Sequence, residues 1–213
     1  GGLTEDAENV FAGRPVPYLK SVECASEKQR EWRIEAKSPV APIMVDGRNE
    51  AGELFHCLMD RYHYLGCRGH VGEHIKYMVC DRQKRPLACL LFGSAAWKTD
   101  ARDRFIGWGP QVRQANLKLM TNNTRFLILP WVKVANLASF VLGACLRRLR
   151  ADWQRRYGHD LCLVETFVDR SRFAGTCYRA ANWMGLGQTQ GRGRQGPAGR
   201  LSTSIKDVYV RPL

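Results

Sequence analysis

The sequence predicts an α/β domain in which a mixed sheet is flanked by helices. Apolar runs long enough for buried strands occur at residues 76–97, 125–132 and 161–169. Between them, apolar residues recur at the 3.6-residue period of a helix. Buried strands that alternate with helices are typical of an α/β sheet. The turn signal at residues 81–86 makes one strand pair an antiparallel hairpin, so we expect a mixed sheet.

The chain is predicted to consist of an arm and a body. Residues 1–50 carry several prolines around a polar stretch, 16–32, that favours one exposed helix. We therefore expect residues 1–50 to form a peripheral arm or cover. Residues 51–213 have the stronger hydrophobic patterning and are expected to form the α/β domain.

The body is predicted to begin with an amphipathic helix, because Leu54, Leu58 and Tyr62 share one helical face before Gly66 ends it. The other predicted elements are a hairpin at 76–97, a short strand at 104–108, a helix at 111–123, a strand at 125–132, a long helix at 136–157, a strand at 161–169, a short helix at 175–185 and a last strand at 205–213.

The net charge of +13 is unevenly distributed. Residues 1–53 hold 7 lysines and arginines against 10 acidic residues, whereas residues 54–146 and 147–213 each hold 13 against 5. Such a basic body attracts polyanions and speeds their encounter with the protein. The charge therefore predicts nucleic acid as the partner.

The eight cysteines include no C-x-x-C pair, and most lie within apolar runs. This pattern favours a reducing compartment over a disulfide framework. The sequence has no stretch of about 18 uncharged apolar residues and does not start like a secretory signal. We therefore predict a cytoplasmic protein without a membrane partner.

The order of helix, hairpin, helix, strand, long helix, strand, short helix and strand resembles that of GNAT acyltransferases. Residues 177–191 are similar to the GNAT ending, in which a short helix leads into a last strand, and residues 125–139 occupy the place of the strand and loop that bind coenzyme A. A pyrophosphate loop needs closely spaced glycines. Residues 132–139 contain none, so the resemblance supports a GNAT-like fold rather than acyltransferase activity.

A longer resemblance covers roughly Leu54 to Leu213 and is carried by the strings RYHYLG, AAW with RDRFIGW, NNTRFLILPWVKVANLAS, ADWQRRYG, ETFVD, GTCYRAANWMGLGQTQGRGR and KDVYVRPL. Together these strings resemble the DruA family, which is found in Druantia anti-phage defence loci and beside transposon genes. The resemblance implies a role in defence against foreign DNA or in processing of mobile DNA. It also implies other defence-system or transposon proteins as partners.

Arginines near glycines and aromatic residues are the candidates for nucleic-acid contact. Guanidinium groups bind phosphate oxygens in a fork, and a glycine-rich backbone allows close approach. Trp97 and Trp108 lie in polar stretches, where a ring can stack on an unpaired base. The predicted nucleic-acid-binding residues are Arg102, Arg104, Trp108, Arg113, Arg125, Arg192, Arg194 and Arg200.

Two carboxylates and one histidine are the candidates for catalysis. Glu165 and Asp169 end a predicted buried strand, where ligand crevices of α/β folds lie. They could bind Mg²⁺ in a nuclease, or they could simply pair with nearby arginines. His63, at a helix end, could act as a general acid or base or could cap the helix.

Several functional hypotheses therefore remain open. The first is a nucleic-acid-binding protein of a defence or transposon context, which requires no cofactor. The second is an acyl- or aminoacyl-transferase with a GNAT-like crevice. The third is a nuclease with Mg²⁺ as cofactor at Glu165 and Asp169, and the last is a pure assembly subunit.

Overall fold

A computed structural model describes residues 41–45, 49–67, 71–191 and 204–213. Most of the predicted arm, including its expected helix, lies outside the described residues. The same is true of the glycine- and arginine-rich segment at 192–203.

The described elements alternate between strands and helices, as the sequence predicts. In chain order they are β1 (Ala41–Val45), α1 (Glu50–Tyr62), β2 (Ile75–Cys80), β3 (Pro86–Ser94), α2 (Asp100–Ile106), α3 (Pro110–Asn116), a 3₁₀ turn (Leu117–Leu119), β4 (Met120–Ile128), α4 (Leu137–Tyr157), β5 (Leu163–Asp169), α5 (Thr176–Ala180), β6 (Met184–Gln188) and β7 (Lys206–Pro212).

The strands of this part of the chain form one seven-stranded sheet with the order β1-β2-β3-β4-β5-β7-β6. β1 and β2 pair antiparallel, β4 and β5 pair parallel, and β7 pairs antiparallel with both β5 and β6. The mixed sheet with flanking helices confirms the predicted fold class. Residues 41–45, which the sequence analysis assigns to the arm, form an edge strand of this sheet.

The described residues divide into two compact units. The first contains β1, α1, β2, most of β3, the end of β4 and the start of α4. All six residues of β2 are buried, as are eight of the nine residues of β3. Strands covered on both faces are apolar throughout rather than alternating, which explains why the sequence shows an uninterrupted apolar run here.

The second unit contains residues 71–73, 92–124 and 146–213. β5 and β7 pair along their full length, from Leu163 opposite Pro212 to Asp169 opposite Lys206. β4 pairs with β5 over three residues, Met120–Asn122. β5 lies between β4 and β7 in the sheet, and six of its seven residues are buried, as in a strand covered on both faces. This strand carries both carboxylates singled out by the sequence.

Three local predictions were wrong. Residues 104–108, expected as a strand, lie in and after α2, which ends at Gly107 in the left-handed conformation. The helix expected to reach Asn123 ends at Asn116, and residues from Met120 onward form β4. β6 was missed, because Gly185 and Gly187 weaken its strand propensity. Its pairing with β7 across a bulge nevertheless makes it a strand.

Among the described residues, the structure contains no helix with both the length and the apolar composition needed to cross a membrane.

Candidate functional site

The connection between α2 and α3 positions the side chains of the candidate site. α2 ends at Gly107, whose φ of 81° is easily adopted only by glycine. The Trp108 N–H then donates to the Asp103 carbonyl at 2.8 Å, and Pro110 begins α3. The half-buried Trp108 packs against a buried apolar cluster formed by Ala95, Met120, Leu163 and Val210.

A cleft of about 610 Å³ opens beside this connection, and we call it the α2–α3 cleft. It is lined by residues that include Lys98, Asp100, Asp103, Arg104, Trp108, Arg113 and Gln190. Asp100 is engaged within the cleft, because its carboxylate lies 3.5 Å from Lys98 Nζ and accepts a hydrogen bond from Gln190 Nε2 at 3.0 Å. Arg104 is exposed, and its Nε donates to the Asp100 carbonyl. Among the described residues, its terminal nitrogens have no hydrogen-bond partner and can bind a ligand.

A buried ion pair between Arg102 and Glu165 lies behind the cleft. Arg102 Nη1 donates to Glu165 Oε2 at 2.8 Å and to the Ala96 carbonyl at 2.8 Å. Glu165 Oε1 accepts from the Ala96 N–H at 2.6 Å. Both charged side chains are 0% exposed. Burial raises the pKa of Glu165, and Arg102 opposes that rise.

Asp103 connects this pair to the cleft. Its Oδ1 accepts from Arg102 Nε and Nη2 at 2.9 and 2.7 Å, and its Oδ2 accepts from Arg113 Nη1 at 3.0 Å. Two arginines therefore share one carboxylate. The Arg113 side chain is only 10% exposed, and its buried Nε has no hydrogen-bond partner among the described residues. A buried donor without a partner costs about 1–3 kcal/mol.

Trp97 adds an exposed aromatic surface next to Arg113. Its ring is 56% exposed, and the Arg113 guanidinium carbon lies 5.8 Å from the ring centroid. This is a cation–π distance. Proteins bind unpaired nucleic acid with cations that contact phosphates and with aromatic rings that stack on bases. Arg113 and Trp97 provide one of each.

A second cavity, which we call the apolar pocket, has a volume of about 470 Å³. Its walls include Phe105, Ile106, Trp108, Leu119 and Met120, and Asn116 and Cys162 also line it. Phe105 is 50% exposed. Trp108 therefore lines both the α2–α3 cleft and the apolar pocket.

The structure brings Arg104, Trp108 and Arg113 together at the α2–α3 cleft, as one binding face requires. Arg102, expected on the same face, is fully buried and held by Glu165 and Asp103, so its surface placement is corrected. Arg125 belongs to the first unit, where its Nε donates to the Gly66 carbonyl at 2.8 Å. Arg192, Arg194 and Arg200 lie outside the described residues.

The two carboxylates proposed as metal ligands have protein partners instead. Glu165 is held by Arg102 and Ala96, and not by the arginines that follow it in sequence. Asp169 Oδ1 accepts from the Ser171 N–H and hydroxyl at 3.0 and 2.7 Å, and these bonds together with one from Ser204 lower its pKa. Within the described ranges, no group of three or more histidine, cysteine, aspartate or glutamate side chains could hold a metal ion. A metal centre at Glu165 and Asp169 is therefore not supported.

His63 lies at the end of α1 in the first unit. Its N–H donates to the Met59 carbonyl at 3.0 Å, and its Nδ1 accepts from the Leu65 N–H at 3.2 Å. Burial, assisted by the charge of Arg125, lowers its pKa to about 4. The imidazole is therefore neutral at pH 7, and its contacts are those of a helix end.

Three residues that line these cavities were not predicted from the sequence: Lys98, Gln190 and Phe105. A usable signal was present for Phe105, because Thr99-Asp100 followed by Gly107 has the start and stop pattern of a short helix. That pattern would have placed Arg104 and Phe105 on α2 rather than on a strand. Nothing local connects Gln190 with Asp100, which are 90 residues apart and meet only in the fold.

The family model of the Druantia protein DruA matches residues 27–211. A search of curated proteins gave no match. Among solved structures, the spermidine N-acetyltransferase of Vibrio cholerae in complex with CoA and spermine is 12% identical, with a TM-score of 0.50 over 80% of this chain and 94% of that one. A chimera of the Vibrio cholerae spermidine N-acetyltransferase SpeG and hSSAT is 11% identical, with a TM-score of 0.51 over 81% and 95%. These likenesses confirm the predicted GNAT-like fold.

The segment in the position of a GNAT coenzyme A loop does not fit the pyrophosphate of that cofactor. Residues 132–139 contain no glycine. The Val132 N–H already donates to the Leu129 carbonyl at 2.9 Å, and the Leu137 N–H donates to the Val134 carbonyl at 3.3 Å. A pyrophosphate loop instead presents its N–H groups to the ligand. Acyl transfer from coenzyme A at this loop is therefore not supported.

Proposed function

Because the chain belongs to the DruA family, we propose that it binds nucleic acid, specifically DNA, in anti-phage defence or in the processing of mobile DNA. The binding surface is the α2–α3 cleft together with the exposed ring of Trp97. Arg113 is the observation that carries the proposal, because its side chain is nine-tenths buried where it lines the cleft, and its guanidinium carbon lies 5.8 Å from the ring centroid of the exposed Trp97.

The charges of the cleft support an anionic ligand. Three cations, Lys98, Arg104 and Arg113, face two carboxylates. Asp103 is occupied by two arginines, and Asp100 by Lys98 and Gln190. The carboxylate oxygens are thus engaged by protein donors, while the terminal nitrogens of Arg104, which have no partner in the described part of the chain, can bind phosphate oxygens. Guanidinium groups bind phosphate strongly because two N–H donors match two oxygens.

The charge of the whole chain supports the same ligand. The net charge of +13 comes from residues 54–213, since residues 1–53 are slightly acidic. A basic body raises the rate and the salt sensitivity of association with DNA. The positive charge of the body and the cleft on its second unit therefore favour the same class of partner.

The test is fluorescence anisotropy with labelled single- and double-stranded DNA between about 50 and 200 mM salt. We expect wild-type affinity to fall steeply as salt rises. Arg104→Ala should weaken binding throughout and reduce the slope of log K against log salt by about 0.9 for duplex or 0.7 for single strands, the value for one phosphate contact.

Arg82→Ala is the matched control, because Arg82 is an exposed arginine in the β2–β3 turn and its loss changes the net charge equally. Equal weakening by both variants would show that binding reflects only net charge and not the cleft. Absence of salt-dependent binding by the wild type would overturn the proposed function.

A further inference from the structure

The apolar pocket and the α2–α3 cleft adjoin along α2 and Trp108. Arg104 lines the cleft, whereas its neighbours Phe105 and Ile106 line the pocket, and Trp108 lines both. A ligand that fills both cavities must therefore carry an anionic part and a flat or apolar part within a short distance. A nucleotide has this composition, with a phosphate joined through one sugar to an aromatic base.

The dimensions of the two cavities suit such a ligand. Their volumes of about 610 and 470 Å³ fall within the range of about 300–1,000 Å³ found for small-ligand sites. Two aromatic residues, Trp108 and Phe105, line the pocket, and Phe105 is half exposed. Asn116 at the pocket supplies an amide of the kind that hydrogen-bonds base edges.

The base that enters this pocket must be unpaired. In a duplex both faces of each base are covered by its neighbours and its edge is occupied by its partner, so no base is free to enter the apolar pocket. Stacking on aromatic side chains is accordingly the mode by which proteins bind single strands or extruded bases. A duplex would offer only its phosphates to Arg104 and Lys98.

We infer that the protein binds a strand with an unpaired nucleotide, whose base occupies the apolar pocket against Trp108 while its phosphate lies in the α2–α3 cleft. The inference rests on the proposed function and specifies its substrate. An apolar side chain of a partner protein could also fill the pocket, but it would give the exposed guanidinium of Arg104 in the adjacent cleft no anionic partner. The juxtaposition of both cavities therefore favours a nucleotide.

The test compares the affinities for three DNA ligands of equal length at one salt concentration: a single strand, the same strand with abasic sites, and the duplex. We expect the wild type to bind the intact single strand more tightly than the other two. Phe105→Ser should weaken single-strand binding by about 5- to 150-fold, the range for one lost stacked base, with little effect on duplex binding. Arg104→Ala should weaken both.

Phe105 is chosen because its half-exposed ring can be removed without opening the core, whereas Trp108 packs against buried residues. A second measurement needs no substitution. Cys162 is exposed and lines the pocket, so its alkylation by a maleimide, followed by peptide mass spectrometry, reports occupancy. The intact single strand should slow this labelling several-fold, and the abasic strand should not.

The outcomes separate the two levels of the proposal. Equal binding of all three DNA ligands, with unchanged Cys162 labelling, would overturn the unpaired-base inference and leave DNA binding intact. Failure to bind any of them at low salt would overturn both. Competition by free dAMP at concentrations comparable to the strand's nucleotides would show that a free nucleotide, and not a strand, is the ligand.

Discussion

Arg102 Nη1 donates to Glu165 Oε2 at 2.8 Å, and neither side chain is exposed to solvent. Arg102 is on α2 and Glu165 is in the middle of β5, so this pair ties the helix that bears Arg104 to the centre of the sheet. The role of Glu165 is therefore to hold a buried arginine and, with it, the α2–α3 cleft in place.

Removing one partner of this pair is expected to destabilise the fold. Glu165→Gln leaves the buried guanidinium of Arg102 with Asp103 as its remaining counter-charge, so we expect a loss below the roughly 3–5 kcal/mol of a fully unpaired buried charge. The double variant Arg102→Met/Glu165→Gln should lose clearly less than the sum of the two single variants, because it buries no unpaired charge. Urea denaturation of the four proteins measures the coupling. Additive losses would mean that the two side chains act independently.

The contact between the Trp97 ring and the Arg113 guanidinium should contribute to the free energy of unfolding of the protein. Trp97→Ala removes the ring that lies 5.8 Å from Arg113, and an exposed cation–π contact contributes about 0.5–1 kcal/mol. Thermal unfolding of Trp97→Ala, Arg113→Met and the double variant gives the coupling energy. A coupling near zero would show that the ring and the guanidinium are only neighbours.

His63 should make the protein less stable in mild acid. Burial and the charge of Arg125 lower its pKa in the folded protein to about 4, from the ordinary histidine value of 6.5. Between these values the unfolded chain binds a proton that the folded chain does not, so unfolding becomes more favourable as pH falls. The stabilisation from neutral His63 is fully present above pH 6.5 and is lost as pH approaches 4.

His63→Gln is the control for this dependence, because glutamine does not titrate. Urea midpoints measured from pH 7.5 down to about 4.5 should fall more steeply for the wild type than for His63→Gln. Other histidines contribute equally to both proteins, so the difference isolates His63. Parallel curves would contradict the lowered pKa.

Gly175 should not tolerate a side chain. Its φ is 68°, and an added Cβ would lie 2.7 Å from the Tyr209 hydroxyl, which accepts a hydrogen bond from Arg179 Nη1. Gly175→Ala should therefore cost more than the roughly 1–2 kcal/mol of left-handed backbone strain alone. Gly107→Ala, with φ of 81° and open space around the added Cβ, measures that strain by itself. Equal destabilisation of the two variants would rule out the clash.

The strongest sequence patterns predicted the elements correctly where local and tertiary preferences agree. The apolar face of α1 and the apolar runs of β2 and β3 needed no further information, because each pattern suits only one kind of buried element. The sequence strings shared with the DruA family also identified the family, because they extend along most of the body.

Weaker patterns were decided by the fold. β6 contains two glycines within five residues and is a strand only because β7 provides its hydrogen-bond partners. Residues 104–108 contain β-favouring side chains, yet residues 104–106 form the last turn of α2. The buried Arg102 on the same helix donates a hydrogen bond to Glu165 on β5. Local propensity is a weak preference, and a buried ion pair or a complete strand pairing outweighs it.

The sequence alone determined the α/β class, the family and the basic body. It also indicated that Arg104, Trp108 and Arg113 belong to one face. Only the tertiary structure decided which charges are available on that face. Arg102 and Arg104 are two residues apart on α2, but one side chain is completely buried and the other is exposed. Burial depends on what packs against each side of a helix, and for Arg102 that neighbour, Glu165, lies 63 residues further along the chain.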